Sequence, residues 1–316
     1  MTSRIGVIGA GGMGREHITN LHQLEGADVV VVADISSESA AAGAHLAGAE
    51  ASTNPMAVAT MTDLDGVVIA SPDDTHAELA IAALHAGLPV LCEKPLALTV
   101  EDARRVAGAE AAAGDAHVQL GFMRVYDPAH QQVAVAMADL GALHHLRLVH
   151  RNTNADWQRS LDTVVSQSIV HDIHSARWFS HSEFRSVVTQ VVRSNARIEY
   201  VTVLAEMTND ASVVIEFAEA TYGYDIEVVA TCAHGTALAP QPSQPDVRLS
   251  GESHQHIGND WFCRFSDAYR LQVVDWVAGL RTGQVTGPTT ADGLAAQVVA
   301  AAVLESAATG QRVLLG

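Results

Sequence analysis

Residues 4–14 read RIGVIGAGGMG, and residues 29–34 read VVVVAD. The apolar residues of the first stretch predict a short strand that runs directly into a complete G-x-G-x-x-G turn, formed by Gly9, Gly11 and Gly14. Residues 15–24 can continue as a helix, and Asp34 ends a second strand about 20 positions after the glycines. This register of strand, turn, helix and acid predicts a parallel α/β unit that binds a dinucleotide. The alternative is a glycine-rich turn that binds nothing.

Each part of this unit has a physical role at a dinucleotide. Gly9 permits the tight turn, Gly11 lets the backbone approach the pyrophosphate, and Gly14 lets the helix pack closely on the strand. The helix N-terminus offers N–H groups to the phosphates. The Asp34 carboxylate would accept the ribose hydroxyls and repel an added phosphate, and residues 35–37 supply no arginine for one. We therefore predict NAD, rather than NADP, as the cofactor.

Composition argues against several classes of protein. The 316 residues carry a net charge of −18, which disfavours nucleic acid or an anionic membrane as a partner. Three cysteines, Cys92, Cys232 and Cys263, are too few and too scattered for a disulfide scaffold or a zinc ribbon. The first strand begins near residue 4, which leaves no room for a signal peptide, and we expect no apolar run long enough to span a bilayer. These features predict a cytoplasmic protein.

The pattern of elements changes near residue 122. Residues 1–122 alternate apolar runs with helical patterns, which predicts a Rossmann domain with a parallel sheet covered on both faces. Residues 123–316 contain longer strands of alternating residues, which predicts an α+β domain with a largely antiparallel open sheet. The last two helices, near 262–282 and 289–308, can pack back on the first domain. Residues 240–245 form a turn-rich loop in this interpretation.

Two predicted strand ends of the first domain carry further candidate residues. The run GVVIAS ends at Ser71 and Pro72, and residues 75–78 then have the spacing of a capping box that opens a helix. A later strand over 90–92 runs into Glu93-Lys94-Pro95. Ligands bind at the carboxyl ends of the strands in sheets of this kind.

Several motifs together resemble those of the Gfo/Idh/MocA oxidoreductases. They are GAGGMG at 9–14, Glu93-Lys94-Pro95, GFMRVYDPA at 121–129, HRN at 150–152 and the His-Asp-Ile at 171–173. Within this family the chain is most similar to the inositol 2-dehydrogenases, through TYGYDIEVV at 221–229 and DWFCRFSDAYRLQVVDWV at 260–277. Any one of these motifs is weak evidence, but their order and spacing together are specific and cover nearly the whole chain.

The resemblance implies a set of site residues. The implied catalytic residues are Lys94 and His171, with Gln167 at the position where the family usually carries Asp. The implied cofactor residues are Gly9, Ala10, Gly11, Gly12, Met13, Gly14, Asp34, Ile35, Ser71, Pro72, His76, Glu93, Lys94 and Met123. The implied substrate residues are Arg124, His150, Asn152, Gln167, His171 and Tyr224. Trp261 and Tyr269 match positions near the mouth of the pocket, although an aromatic residue on a C-terminal helix can equally belong to the core.

The chemistry of alcohol oxidation is consistent with these residues. Hydride must leave the carbon while a base removes the hydroxyl proton, so the site needs a titratable group and a cation near the developing alkoxide. Lys94, at the end of a parallel strand, suits the second role, that of the cation. A positive nicotinamide beside it would disfavour its charged form, so we expect its pKa to fall far enough for it to exchange protons as well. The alternative for Lys94 is a surface lysine before a proline.

Gln167 is a departure from the family pattern. It lies four residues before His171, so in an α-helix over about 163–179 the two share a face. An amide can hydrogen-bond a hydroxyl but cannot stabilise a protonated partner with a negative charge, which predicts a rate lower by about one or two orders of magnitude, or a different substrate. Asp172 points about 100° away around such a helix and is not expected to replace the acid.

A metal site at His171 and His174 is a further alternative. Two histidines at i and i+3 can share a helix face, but the sequence offers no convincing third and fourth ligand nearby. We therefore predict no metal, and we expect His174 to pack near Trp178 as a structural histidine.

Three functions remain open at this stage. The first is NAD-dependent oxidation of a ring hydroxyl of a cyclitol or sugar to the ketone, with myo-inositol as the leading substrate. The second is a keto-sugar reductase, or a sugar-modifying enzyme that recycles its bound NAD. The third is an NAD-binding sensor or scaffold with weakened catalysis, for which Gln167 is the motivation.

The second sheet also suggests an assembly. The strands over 212–217 and 227–230 place apolar residues at positions of both parities, so the face of the sheet opposite its helices is expected to be apolar. Sheet pairing between subunits would cover this face, and the resemblance implies a dimer of dimers. We therefore predict a homotetramer, with a dimer as the fallback.

Overall fold

The computed structural model describes residues 2–153, 159–195, 197–220, 223–239, 246–249, 252–255 and 261–316. These residues fall into two compact units. Unit 1 comprises Met1–Met123 and Asp267–Val298, and unit 2 comprises Arg124–Ser266 and Val299–Gly316. The predicted loop at 240–245 lies outside the described residues.

Unit 1 is built on a six-stranded parallel sheet. Its strands are β1 (Ser3–Ile8), β2 (Ala27–Ala33), β3 (Glu50–Ser52), β4 (Gly66–Ile69), β5 (Val90–Cys92) and β6 (Val118–Leu120). Their order in the sheet is β3-β2-β1-β4-β5-β6, so all strands are parallel, but β2 and β3 are added on one side of β1 and β4, β5 and β6 on the other. The switch between the two sides, at β1 and β4, is the point at which open α/β sheets bind ligands, outside the carboxyl ends of the strands. The predicted Rossmann fold is confirmed.

Five helices of unit 1 follow its strands. They are α1 (Gly12–His22), α2 (Ser37–Ala47), α3 (Pro55–Ala59), α4 (His76–His85) and α5 (Val100–Ala112). Ser36, Asn54 and Thr99 cap three of them by accepting a backbone N–H with the side-chain oxygen. The predicted capping box at Thr75 is wrong, because the Thr75 hydroxyl bonds the Pro72 carbonyl and the Ser71 hydroxyl instead.

The core of unit 1 includes residues from the C-terminal part of the chain. Ile5, Val7, Val68 and Leu91 of the sheet pack in one cluster with Val273, Trp276 and Val277, and all are at most 3% exposed. The last three residues belong to α9 (Trp261–Thr282), whose backbone leaves helical geometry at Phe265. A Cβ at Gly66 would lie 3.0 Å from the Trp276 ring, so the indole packs directly against β4. The sheet of the first unit is thus covered by a helix that the chain supplies much later.

The second C-terminal helix, α10 (Thr290–Thr309), is long and apolar enough to span a membrane by length and composition. This differs from the expectation that no such run exists. Within the protein, 44% of its apolar window is buried. Its polar residues have protein partners: Gln297 donates to the Leu98 carbonyl over 2.7 Å, and the Ser306 hydroxyl donates to the Gln311 carbonyl over 2.7 Å. These contacts are typical of a core helix.

Unit 2 contains a seven-stranded sheet. Its strands are β7 (Leu143–Thr153), β8 (Phe184–Ser194), β9 (Arg197–Met207), β10 (Ser212–Ala220), β11 (Asp225–Cys232), β12 (Gly235–Ala239) and β15 (Val313–Leu314), and a separate hairpin is formed by β13 (Asp246–Leu249) and β14 (Glu252–Gln255). The strand order is β12-β11-β7-β10-β9-β8-β15, in which β7 and β10 are parallel and the other described pairs are antiparallel. The predicted, largely antiparallel sheet is confirmed.

One face of this sheet is buried, and the opposite face, here called the open face, is mixed. One row of paired residues on the open face crosses six strands. In strand order it contains Val188, Leu204, Val214, Arg147, Val229 and Leu238. Leu204 is 52% exposed and Leu238 is 56% exposed. At the centre, however, Arg147 bonds Glu216 and Glu227, each over 2.7 Å. The prediction of an apolar face is therefore wrong at its centre, where charged pairs replace apolar contacts.

The helical part of unit 2 contains an irregular turn at the predicted site. After α6 (Pro128–Asp139) come α7 (Leu161–Val164), a π-helical turn over Val165–Ile169, and α8 (Val170–Ser180). The Ser160 hydroxyl caps the start by accepting from the Thr163 N–H. The expected helix over 163–179 therefore exists, but it begins earlier and contains a π turn, which is a feature common at functional sites.

Candidate active site

The glycine turn of unit 1 has the shape that a dinucleotide requires. Gly9 has a φ of +95°, and a Cβ there would lie 2.4 Å from the Ala70 carbonyl oxygen. A Cβ at Gly14 would lie 1.9 Å from the Gly9 carbonyl oxygen, whereas a Cβ at Gly11 would meet nothing within 4 Å. Packing therefore demands two of the glycines, and the third leaves its backbone open to a ligand.

Asp34 is fixed beside this turn. Its Oδ2 accepts from the Ala10 N–H and its Oδ1 accepts from the Ser36 N–H, both over 2.9 Å. The start of α1, at Gly12 and Met13, has no side-chain cap and no acidic residue in its first turn. An uncapped helix N-terminus favours an anion, and an oriented carboxylate can still accept hydroxyls through its remaining lone pairs. These residues fit NAD, with Ile35 exposed next to the acid.

A second group of predicted residues lies at the carboxyl ends of β4 and β5. The His76 ring links the two loops, because Nε2 lies 2.9 Å from the Ser71 carbonyl oxygen and Nδ1 lies 2.7 Å from the Pro95 carbonyl oxygen. Pro72 follows Ser71, and Lys94, which is half-buried, precedes Pro95. The two strand ends that sequence reasoning selected are therefore joined by one imidazole.

Glu93 makes its contacts inside the protein. Its Oε1 lies 2.8 Å from Nε2 of His17, and its Oε2 accepts from the Lys94 N–H over 3.3 Å. Burial opposes the charge on this carboxyl, but the hydrogen bond from His17 and the charge of Lys94 hold the pKa of Glu93 below its usual value. Sequence reasoning missed His17. Its position three residues after Gly14 places both residues on the same face of α1, the face that packs on the sheet.

In unit 2, three predicted substrate residues, Arg124, His150 and Tyr224, form a cluster with Asp172, which the sequence analysis did not include among the site residues. Asp172 is fully buried; its Oδ1 accepts from Arg124 over 2.5 Å and its Oδ2 lies 2.8 Å from Nδ1 of His150. Tyr224 hydrogen-bonds Arg124, and its ring meets His150 edge-on at 5.8 Å. Asp172 comes from α8, Arg124 from the 3₁₀ turn Met123–Tyr126 and His150 from β7.

The electrostatics of this cluster are set by burial and pairing. Burial opposes ionisation of Asp172, but Arg124 and His150 hold its pKa below the usual value. Burial lowers the pKa of His150 against the effect of Asp172, and burial raises the pKa of Tyr224 to about 12. The cluster therefore contains an ion pair between Arg124 and Asp172 beside a neutral imidazole and a neutral phenol. Such a set offers several hydrogen-bonding groups of the kind that hydroxyls need.

The remaining predicted residues are distributed along the same unit. Asn152 lies two residues beyond His150 on β7, so both share one face of the strand. Gln167 is exposed in the π turn, and His171 is buried at the start of α8. The α-helical spacing that put Gln167 and His171 on one face does not apply unchanged across a π turn, because that turn holds an additional residue.

His174 is buried on α8 together with His171. Within the described ranges, no group of three or more His, Cys, Asp or Glu side chains could hold a metal ion.

Arg159, which sequence reasoning also missed, bonds Glu219 over 2.5 Å and the Ser168 hydroxyl of the π turn over 3.1 Å.

Three further predicted residues are Met123, Tyr269 and Trp261. Met123, the last residue of the first segment of unit 1, is 2% exposed. Tyr269 is 3% exposed in unit 1 and meets the His17 ring edge-on at 6.4 Å, whereas Trp261 stacks on Phe262 at 3.8 Å. Tyr269 therefore belongs to the core of unit 1.

Comparisons with known proteins identify both parts of the chain. A family model described as "Oxidoreductase family, NAD-binding Rossmann fold" matches residues 3–122. A model described as "Oxidoreductase family, C-terminal alpha/beta domain" matches residues 170–315. Together they match well over half of the chain, and they confirm the family resemblance given by the motifs.

Similar proteins are named as inositol dehydrogenases. The chain is 36% identical to "Inositol 2-dehydrogenase" of Klebsiella pneumoniae over 99% of this chain and 96% of that protein. It is 35% identical to "Inositol 2-dehydrogenase 3" of Saccharopolyspora erythraea over 98% of this chain and 95% of that protein. Among solved structures, myo-inositol dehydrogenase from Lactobacillus casei in complex with NAD(H) and myo-inositol has a TM-score of 0.95 and 26% identity, over 100% of this chain and 97% of that one.

Proposed function

Because the chain belongs to the Gfo/Idh/MocA oxidoreductases and is an NAD-dependent dehydrogenase that acts on CH–OH groups, we propose that it oxidises a ring hydroxyl of a cyclitol or sugar to the ketone, with myo-inositol favoured. The observation that supports this substrate class is the buried cluster of Arg124, His150, Asp172 and Tyr224. A polyol presents several hydroxyls, and such a cluster offers both donors and acceptors for them.

We propose separate roles for the residues around the reacting carbon. Bound NAD supplies the hydride acceptor. Lys94 takes the hydroxyl proton and stabilises the developing alkoxide, and His171 passes the proton on. The substrate hydroxyls are bound by Arg124, His150, Asn152, Gln167 and Tyr224. A neutral Gln167 can bind a hydroxyl, but it supplies no charge to a protonated partner.

The proposed cofactor site extends along unit 1. The glycine turn binds the pyrophosphate, and Asp34 binds the adenosine ribose, with Ile35 next to it. The nicotinamide side of the proposed site includes Ser71, Pro72, His76, Glu93, Lys94 and Met123. Its place at the carboxyl ends of the parallel strands agrees with the general location of dinucleotide sites.

A turnover assay tests the proposed reaction. Purified protein is incubated with NAD and a panel of inositols and pyranoses from neutral to alkaline pH, and the absorbance of the reduced cofactor is followed. We expect turnover of at least one cyclitol or sugar, reduced about 10²- to 10⁴-fold by Lys94→Met. Arg105→Met, which removes an exposed cation from the same unit, should leave the rate unchanged. Absence of turnover with every compound would overturn the proposal.

Gln167 favours a second candidate function, an NAD-binding sensor with weakened catalysis. The exposed amide lies at the position where the family resemblance implies an acid, and an amide supplies no negative charge to a protonated partner. Gln167→Asp separates the two functions. A gain of about 10- to 100-fold in inositol oxidation would support the sensor, whereas a loss of activity toward another polyol would show that Gln167 is adapted to that substrate.

We further propose a cytoplasmic homotetramer in which the open face of the second sheet pairs between subunits. The exposed Leu204 and Leu238 support this pairing, since large exposed apolar side chains on a sheet favour association. Light scattering at micromolar concentration should give about four times the mass of the chain. A mass near 33.3 kDa would refute the assembly.

A further inference from the structure

One arginine of unit 2 connects the π turn to the end of the second sheet. Arg159 lies just before α7, and its Nε and Nη2 both donate to Oε1 of Glu219, over 2.9 and 2.5 Å. Its Nη1 donates to the Ser168 hydroxyl over 3.1 Å. Glu219 lies on β10, and Ser168 follows Gln167 in the π turn. A single guanidinium therefore joins a strand end to the turn that carries a proposed substrate residue.

The ion pair of Arg159 and Glu219 is buried. The Arg159 side chain is 8% exposed and the Glu219 side chain is 10% exposed. The guanidinium also lies over the Phe217 ring, 5.6 Å from the ring centroid. A buried charge that loses its partners is not rehydrated, so this guanidinium is costly to displace. The planar group therefore fixes the Ser168 hydroxyl relative to β10.

The end of β10 adjoins two proposed substrate residues on β7. The two strands are parallel there, and Glu219 is paired with Asn152. Two residues earlier on both strands, Phe217 is paired with His150, and the two rings meet edge-on at 5.2 Å. Paired residues project to the same face of a sheet, as do residues two apart on one strand. The ion pair thus lies beside the segment of β7 that bears Asn152 and His150.

The π turn presents Gln167 next to a fixed point. Gln167 is exposed, whereas the following residue, Ser168, is buried. The direction of the Gln167 side chain depends on where the backbone of the turn lies, and the bond from Arg159 to Ser168 holds that backbone one residue away. π turns are rare within helices and are frequent at functional sites. Control of this turn is therefore control of the Gln167 amide.

From this geometry we propose that Arg159 is a positioning residue for polyol binding, which holds the amide of Gln167 in place through its ion pair with Glu219. The inference rests on the proposed function, in which Gln167 binds a substrate hydroxyl. The hydroxyls of a ring have fixed directions, so the groups that bind them must be held at fixed separations before the ring arrives. Arg159 supplies that order between the π turn and the sheet.

Two mild variants test the proposal, because truncation of Arg159 would leave the Glu219 charge buried without its partner. Arg159→Lys keeps the charge but loses the planar fork that binds two partners at once. Ser168→Ala removes only the bond to the π turn. In both variants we expect the KM for myo-inositol to rise about five- to tenfold, as for a lost hydrogen bond. The kcat and the KM for NAD should stay the same, since ground-state and transition-state binding weaken equally.

Arg177→Lys is the matched control. Arg177 makes a similar two-pronged pair with Glu183 in the same unit, over 2.7 and 2.6 Å, but it does not belong to the proposed site. Its KM for myo-inositol should match that of the natural protein. If the turnover assay selects another polyol, that compound replaces myo-inositol in every variant. An unchanged KM in both Arg159→Lys and Ser168→Ala would overturn the proposal.

A double-mutant cycle separates positioning from a general loss of stability. In a Gln167→Ala background, Arg159→Lys should change the KM by less than about twofold, because the amide that Arg159 positions is already absent. A purely structural role would give the same rise in KM with and without the Gln167 amide. That result would overturn the proposal.

Hydrogen exchange provides a measurement that needs no turnover. The backbone amides of residues 165–169 should exchange faster in Arg159→Lys than in the natural protein, whereas those of β9 should not change. A protein that oxidises no polyol but shows this local change would refute the proposed function and keep the positioning of the turn by Arg159. A protein that oxidises a polyol, with neither exchange nor KM altered in Arg159→Lys, would keep the function and overturn this inference.

Discussion

At the scale of single residues, we propose that Asp34 determines the choice of cofactor. Its two oxygens accept backbone N–H groups, so the carboxylate is fixed where an adenosine ribose would bind. A fixed negative charge at this place disfavours the additional phosphate of NADP. A positive side chain can replace the adjacent Ile35 without disturbing the core, because Ile35 is 84% exposed.

We predict that Asp34→Ser combined with Ile35→Arg narrows or inverts the preference for NAD over NADP. The serine removes the repulsion, and the arginine can pair with the phosphate. Dissociation constants of both nucleotides, measured by calorimetry, test this prediction, with Ile35→Gln as the control. Equal affinity of the natural protein for the two nucleotides would refute the role of Asp34.

Asp172 is the second residue with a decisive position. It is an acid that bonds two proposed substrate residues, Arg124 and His150, at 2.5 and 2.8 Å. We predict that Asp172→Asn raises the KM for the polyol at least about tenfold, which corresponds to about 1.4 kcal/mol, because Arg124 loses its counter-charge and both side chains lose orientation. The KM for NAD should stay the same. Initial-rate kinetics with each substrate varied in turn measure both constants.

Asp127→Asn is the matched control for this change. Asp127 is equally buried in unit 2 and pairs with His130 at 2.5 Å and with Arg264 at 2.7 Å, but we assign it no contact with substrate. It should lower the free energy of unfolding with no change in KM. A similar rise in KM in both variants would show that the effect of Asp172→Asn is general loss of packing.

At the scale of elements, the sequence predicted local features better than distant contacts. The glycine turn, Asp34 and the strand before Glu93 are encoded in short segments, so periodicity and turn chemistry suffice to find them. The bond between His17 and Glu93 joins residues 76 positions apart. Such a contact depends on the complete sheet, and only the helical spacing of His17 from Gly14 gave a local signal.

The region around Gln167 shows a second limit of sequence reasoning. The α-helical period assigned Gln167 and His171 to one face and turned Asp172 away from the site. The π turn over Val165–Ile169 changes the spacing before α8, and Asp172 is buried next to Arg124. A single irregular turn has no clear signature in hydrophobic periodicity, so the role of Asp172 could not be derived from the pattern.

Helix α9 gives a prediction at the same scale. Trp276 is 1% exposed in the core of unit 1, so Trp276→Ala should lower the free energy of unfolding by about 3–5 kcal/mol through loss of buried area and formation of a cavity. Urea unfolding measures the change. Val274→Ala, on the same helix but 36% exposed, should cost far less. Comparable losses in the two variants would contradict the burial of Trp276.

At the scale of the whole molecule, buried histidines make stability depend on pH. Burial lowers the pKa of His130 and of His150. Below the unfolded value of about 6.5, the unfolded chain binds protons that the folded protein does not, so stability decreases as pH falls. Each such histidine contributes a slope of up to about 1.4 kcal/mol per pH unit.

We predict that the free energy of unfolding falls between pH 6.5 and pH 5.5 and that His130→Asn makes this fall shallower. Asparagine can keep a donor toward Asp127 but does not titrate. Urea unfolding at several pH values in this window tests the prediction, since carboxyl groups with lowered pKa values, such as Asp127, stay ionised there. Parallel slopes for the natural protein and the variant would contradict it.

Trp276 packs in the core of unit 1 but is synthesised after the strands that it covers, which has a consequence for biosynthesis. The ribosome completes the six strands of the parallel sheet long before it makes the helix that covers them, since residues 124–266 come in between. At about 5–20 residues per second, this delay lasts roughly 7–30 s. During that time the nascent chain exposes the apolar surface that Val273, Trp276 and Val277 later cover. We therefore expect chaperones to bind the emerging first half of the polypeptide until the second half has left the exit tunnel.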